Sequence, residues 1–110
     1  MVFRFQLTKK KEIDLEAAKE FWNWFMENEK SIIERCKTDA ARLIFEIDCK
    51  LRPIFPYFKK ELEFQLGFNE GRGEFFFFHF GNRYLLRDGE ILGSLMPGEL
   101  GRKWRYILEK

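Results

Sequence analysis

From Leu15 onward apolar residues return at steps of three and four: Leu15, Ala18, Trp22, Phe25, Ile32 and Cys36 fall on one stripe of a long helix. Asp14 stands where its carboxylate can accept hydrogen bonds from the free amides of the first turn. Phe21, Trp24 and Met26 lie beside the stripe and widen the apolar face toward a neighbouring helix. Thr38 or Asp39 can cap a second helix, in which Ala40, Leu43, Ile44, Ile47 and Leu51 keep the same spacing. Pro53 removes an amide and biases Arg52 out of the helical region, so this helix is expected to end near Arg52, and Pro56 repeats the interruption. Ile54, Phe55, Tyr57 and Phe58 then cross irregularly beneath the helix pair.

The period shortens to two residues between Glu61 and Phe68, where Leu62, Phe64, Leu66 and Phe68 alternate with Glu61, Glu63, Gln65 and Gly67. That alternation predicts a half-buried strand. Asn69 to Gly73 supplies an Asn and two glycines, and Glu74 to Phe80 resumes as strand, so the pair is an antiparallel hairpin. Val2 to Leu7 alternates in the same way and reads as a short strand, separated from the first helix by Lys9, Lys10 and Lys11, which read as a solvated connector in preference to a phosphate-binding cluster. Two structures compete over residues 82–96. Asp88-Gly89 between Tyr84-Leu85-Leu86 and Ile91-Leu92 is a two-residue hairpin signal; alternatively Asn82 caps a helix that Pro97 stops, with Gly89 and Gly93 each costing about 1 kcal/mol inside it. Arg102 to Lys110 closes the chain as a strand with Trp104, Tyr106 and Leu108 on one face.

Phe21, Trp22, Trp24, Phe25, Asn28 and Glu29 form an F-W-x-W-F-x-x-N-E sequence that resembles the opening of a group of small uncharacterised bacterial α+β domains. The resemblance extends over most of Leu15 to Leu108. It implies two helices, two strands, a helix ending in a proline, and a last strand entered through a Trp, and it favours the helix over residues 82–96. It carries no activity and no assigned residues. The expected fold is α+β: two N-terminal helices on one face of a small, mainly antiparallel sheet, with a third helix before the last strand, in a single domain spanning 1–110.

The aromatic content changes the picture. Phe 14, Trp 3 and Tyr 3 make 18% of a chain of 110 residues, and so many rings are hard to hide in one small core. The net charge of +2 is evenly spread, with 11 basic and 10 acidic residues up to Phe55 and 9 and 8 from Pro56 on. Neither half has the basic stripe of a nucleic-acid binder. No stretch has the length of a membrane span, and the first residues lack a secretory signal's apolar run, so a cytoplasmic protein is expected, with Cys36 and Cys49 reduced and buried.

Catalytic chemistry finds little to work with. His79 is the one histidine and Ser31 and Ser94 are the two serines, so a hydrolytic triad or a Cys-His dyad has no base close in sequence to a nucleophile. Cys36, Cys49 and His79 are isolated residues rather than a zinc-ligand cluster. Gly71-Arg72-Gly73 lies in a hairpin turn and lacks the strand-loop-helix setting of a phosphate loop. No cofactor or metal is expected.

The unusual element is Phe75-Phe76-Phe77-Phe78-His79-Phe80, apolar on both faces. A hairpin register in which paired residue numbers sum to about 142 would set Leu66 against Phe76 and Phe64 against Phe78, and would turn Phe75, Phe77 and His79 outward beside Gln65 and Glu63. A slip of one residue exchanges the two sets. The expected function is a non-enzymatic interaction domain that binds a protein partner or itself through Phe75, Phe77, His79, Glu63 and Gln65, with Trp22 and Trp24 as a second surface. On this reading Phe77→Glu leaves the fold intact and abolishes association. The alternative is single-stranded nucleic acid stacked on the same rings.

Overall fold

The computed structural model describes residues 11–110, and the strand expected over Val2 to Leu7 lies outside the described residues. In chain order the elements are α1 (Leu15–Glu27), α2 (Glu29–Thr38), α3 (Ala40–Leu51), a 3-10 turn (Arg52–Ile54), β1 (Glu63–Asn69), β2 (Arg72–Phe78), α4 (Arg83–Ser94), α5 (Gly98–Gly101) and β3 (Trp104–Glu109). The α+β class read from the sequence holds, and the helix displaces the hairpin over residues 82–96.

Asp14 caps α1 by accepting from the Ala17 amide at 3.0 Å, and Ala18, Phe21, Trp22 and Phe25 form its buried stripe. Leu15, expected in that stripe, is exposed. The single long helix expected from Leu15 to Cys36 is broken at Asn28, whose φ of −111° and ψ of 14° leave the helical basin. The Asn28 side chain donates to the Trp24 carbonyl at 2.9 Å, the kind of local bond by which Asn competes with a helix interior. In α3 the buried residues are Leu43, Ile47 and Leu51, while Ile44 is exposed.

The thiols depart from expectation. Cys49, two positions from Ile47 and so on the opposite side of α3, is exposed. Cys36 is half-buried, and burial pushes its thiol above the ordinary range.

The sheet has the order β1-β2-β3, with β1 antiparallel and β3 parallel to the central β2. It is a mixed sheet, because the chain crosses back over one face through α4 before β3 enters. Asn69 pairs with Arg72, so the hairpin loop is two residues, Glu70 at φ 54° and Gly71 at φ 77°. Two consecutive left-handed residues match the right-handed twist of the flanking strands. They also fix the register.

Glu63 pairs with Phe78, Phe64 with Phe77 and Leu66 with Phe75, one residue from the expected pairing. The correction inverts the hairpin. Phe75, Phe77 and His79 face the helices and are buried, together with Trp104 of β3. Phe75 lies between the rings of Phe64 and Tyr106, stacked at 5.8 and 6.1 Å, and meets Phe21, Trp22 and Phe25 edge-on. Phe77 stacks on Phe55 at 5.1 Å. The Trp22 indole donates to the Leu92 carbonyl at 2.8 Å, tying α1 to α4.

Candidate functional site

The seven residues singled out from the sequence do not form one surface. Phe75, Phe77, His79 and Trp22 belong to the core. Trp24 is half-buried against that core, with Lys50 Nζ 5.4 Å from its ring centroid. Only Glu63 and Gln65 are exposed, on the opposite side of the sheet. His79 is a structural residue: its Nδ1 accepts from the Gly81 amide at 3.0 Å, where Phe80 and Gly81 take left-handed conformations to turn the chain into α4.

The F-W-x-W-F-x-x-N-E residues have structural work of the same kind. Phe21, Trp22 and Phe25 fill the core, Asn28 breaks the helix, and Glu29 accepts from the buried Trp104 indole at 3.1 Å. Glu29 and Asn28 also line a cleft of about 750 Å³ between the α1–α2 junction and the turn that leads into β3. The Glu29 carboxylate is already engaged there by Trp104 and, at 3.7 Å, by Lys103 Nζ.

The sheet face turned away from α1 and α4 is built by strand alternation in three rungs. Glu63, Phe78 and Glu109 form the first, Gln65, Phe76 and Ile107 the second, and Gly67, Glu74 and Arg105 the third. Phe76, Phe78 and Ile107 are half-buried, and the Phe76 ring lies across Gly67, 3.8 Å from where a Cβ would stand. Glu74 pairs with Arg105 at 3.7 Å. Glu63 and Glu109 have no ion-pair partner among the described residues. This face escaped the sequence reading because the wrong parity assigned its rings to the core.

A second cluster joins residues remote in sequence. Asp88 is fully buried and accepts from Tyr57 Oη at 2.6 Å and from Arg87 Nε at 2.8 Å. Tyr57 Oη also lies 3.1 Å from the Tyr84 carbonyl, and Arg87 reaches the Lys11 carbonyl. Burial and the Asp88 carboxylate push the Tyr57 phenol well above its ordinary range. The bond from Arg83 Nη2 and the surrounding cations hold the Tyr84 phenol below it. Among the described residues no three His, Cys, Asp or Glu side chains converge as metal ligands, and no helix is long and apolar enough to cross a membrane.

Comparison with known proteins finds no matching family model, no matching curated protein and no matching solved structure.

Proposed function

We propose that this domain is a non-enzymatic interaction module that holds a protein partner on the sheet face turned away from α1 and α4, through Phe76, Phe78 and Ile107. The observation that carries the reading is the rung in which Phe78 is flanked across the ladder by two carboxylates, Glu63 on β1 and Glu109 on β3. Rings of this kind anchor interfaces when a partner desolvates them.

Charge selects the partner. Two unpaired carboxylates beside an aromatic ring suit a lysine or arginine, which gains from the ring face and from both acids, carried on an otherwise apolar strand or helix. The same charge repels a phosphate backbone, which weighs against stacking single-stranded nucleic acid on this face.

The test is an amide-shift titration of the isotopically labelled chain with two synthetic peptides, one alternating apolar residues with Lys and the other with Glu. The Lys peptide is expected to move the amides of Phe76, Phe78 and Ile107, and Phe78→Thr to remove the effect. Equal responses to both peptides, or none on this face, would overturn the reading. So would light scattering that shows a dimer formed through these residues, because a second copy would then be the occupant.

A further inference from the structure

The positive charge around Tyr84 is larger than the described acids offset. Lys11 Nζ, Arg83 Cζ and Arg87 Cζ stand 5.1, 5.0 and 5.4 Å from the centroid of the Tyr84 ring. Arg83 Nη2 also donates to the Tyr84 hydroxyl at 3.0 Å. Beside the ring is a cavity of about 240 Å³ lined by Lys11, Lys59, Lys60, Tyr57, Asn82 and Tyr84. Three lysines from two stretches of chain therefore line the cavity, and Arg83 and Arg87 flank the Tyr84 ring that borders it.

The carboxylate nearest to hand is spent. Asp88 is buried beneath the cluster and taken by Tyr57 and Arg87, and Glu12 acts on Arg87. Lys11, Lys59, Lys60 and Arg83 have no ion-pair partner among the described residues. Like charges at this spacing repel, and an anion seated among them turns that repulsion into attraction. Two of the first α4 amides are already occupied, since Asn82 Oδ1 accepts from Tyr84 N and Leu85 N. The charged donors are side chains.

We propose that this cavity binds the phosphate group of a small molecule, with Lys11, Lys59 and Lys60 as cationic ligands, Tyr84 in its wall and Arg83 adding positive charge from beside that ring. A phosphate dianion fits the donor set better than a single carboxylate does, since its three terminal oxygens can each meet a separate cation. The site lies on different residues from the sheet face, so either can fail without the other.

The experiment titrates the full chain with inorganic phosphate and, in parallel, phenyl phosphate, against sodium chloride at matched ionic strength. Phosphate or its monoester is expected to give saturable shifts at the amides of Lys59, Lys60 and Tyr84, and to move Tyr84 ionisation to higher pH, because a bound anion opposes a phenolate. Saturation by inorganic phosphate identifies a free-ion site, and saturation by phenyl phosphate alone identifies a monoester site. The combined exposed substitutions Lys59→Gln, Lys60→Gln and Arg83→Gln should weaken binding by about tenfold or more. Non-saturating shifts matched by chloride, undiminished binding by the triple variant, or binding of a single-stranded oligonucleotide while both small probes stay silent would each overturn the proposal.

Discussion

The indole of Trp104 donates to the carboxylate of Glu29 at 3.1 Å across 75 positions of sequence, so the first residue of β3 is held by the first residue of α2. Trp104 is 1% exposed, so its indole N–H is buried and depends on the Glu29 carboxylate for its partner. Glu29→Ala orphans a buried donor and is expected to destabilise the fold by about 1–3 kcal/mol, whereas Glu29→Gln keeps an acceptor and should cost clearly less. Urea unfolding of both variants checks this. Lys103, 65% exposed, contributes little to the difference.

Gly93 lies in α4, where Ala would ordinarily be favoured by about 1 kcal/mol. A Cβ there would stand 2.4 Å from the Tyr106 ring, and at Gly89 2.8 Å from Leu108. Close packing therefore outweighs propensity, and Gly93→Ala should lower stability by about 1–3 kcal/mol in thermal or urea melts. A stabilised variant would show that the helix can move off β3 at no cost.

Those two glycines mark the boundary of what was legible. Single-sequence propensity sees them as helix breakers, and only the approach of Tyr106 and Leu108 explains them. The elements themselves were readable because capping by Asp14 and Asn82, the period of α3 and the alternation of β1 are local signals. The register was not, since Asn69 to Gly73 admits more than one loop length and each choice inverts both faces. The cation cluster was hidden for a different reason: Lys11, Lys59, Lys60, Arg83 and Arg87 are dispersed in a chain whose net charge is only +2.

The inverted register makes neighbouring phenylalanines opposite in their tolerance. Phe77 is fully buried against Phe55, so Phe77→Glu puts an unpaired carboxylate in the core, a cost of several kcal/mol against a typical total of about 5–15. It should abolish the cooperative transition, contrary to the tolerance expected from sequence. Phe78→Thr, on the face turned away from the helices, removes a half-buried ring without burying a charge and should cost clearly less, leaving the transition cooperative. Far-ultraviolet circular dichroism of the two variants decides the parity of β2; a folded Phe77→Glu would restore the outward register.

The three tyrosines should titrate in two groups. Arg83, Lys11 and Arg87 favour the Tyr84 phenolate, so it should ionise first, below the ordinary phenol range. Tyr57 and Tyr106 resist ionisation in the folded chain, Tyr57 through burial and its bond to Asp88, and Tyr106 through burial alone, with its hydroxyl donating to the Gly89 carbonyl at 2.7 Å. For these two the folded pKa lies above the unfolded one, so the folded chain retains protons that the unfolded chain releases. Their stabilisation is complete below about pH 10 and falls as pH rises beyond it. Absorbance at alkaline pH should show one reversible phenolate, then a second, cooperative rise that coincides with loss of helical signal. Tyr57→Phe should flatten the pH dependence of stability above about pH 10 while lowering stability at neutral pH by about 1–3 kcal/mol, because Asp88 loses its 2.6 Å donor. Three phenolates appearing together, with the helices intact, would mean that neither Tyr57 nor Tyr106 is held protonated by the fold.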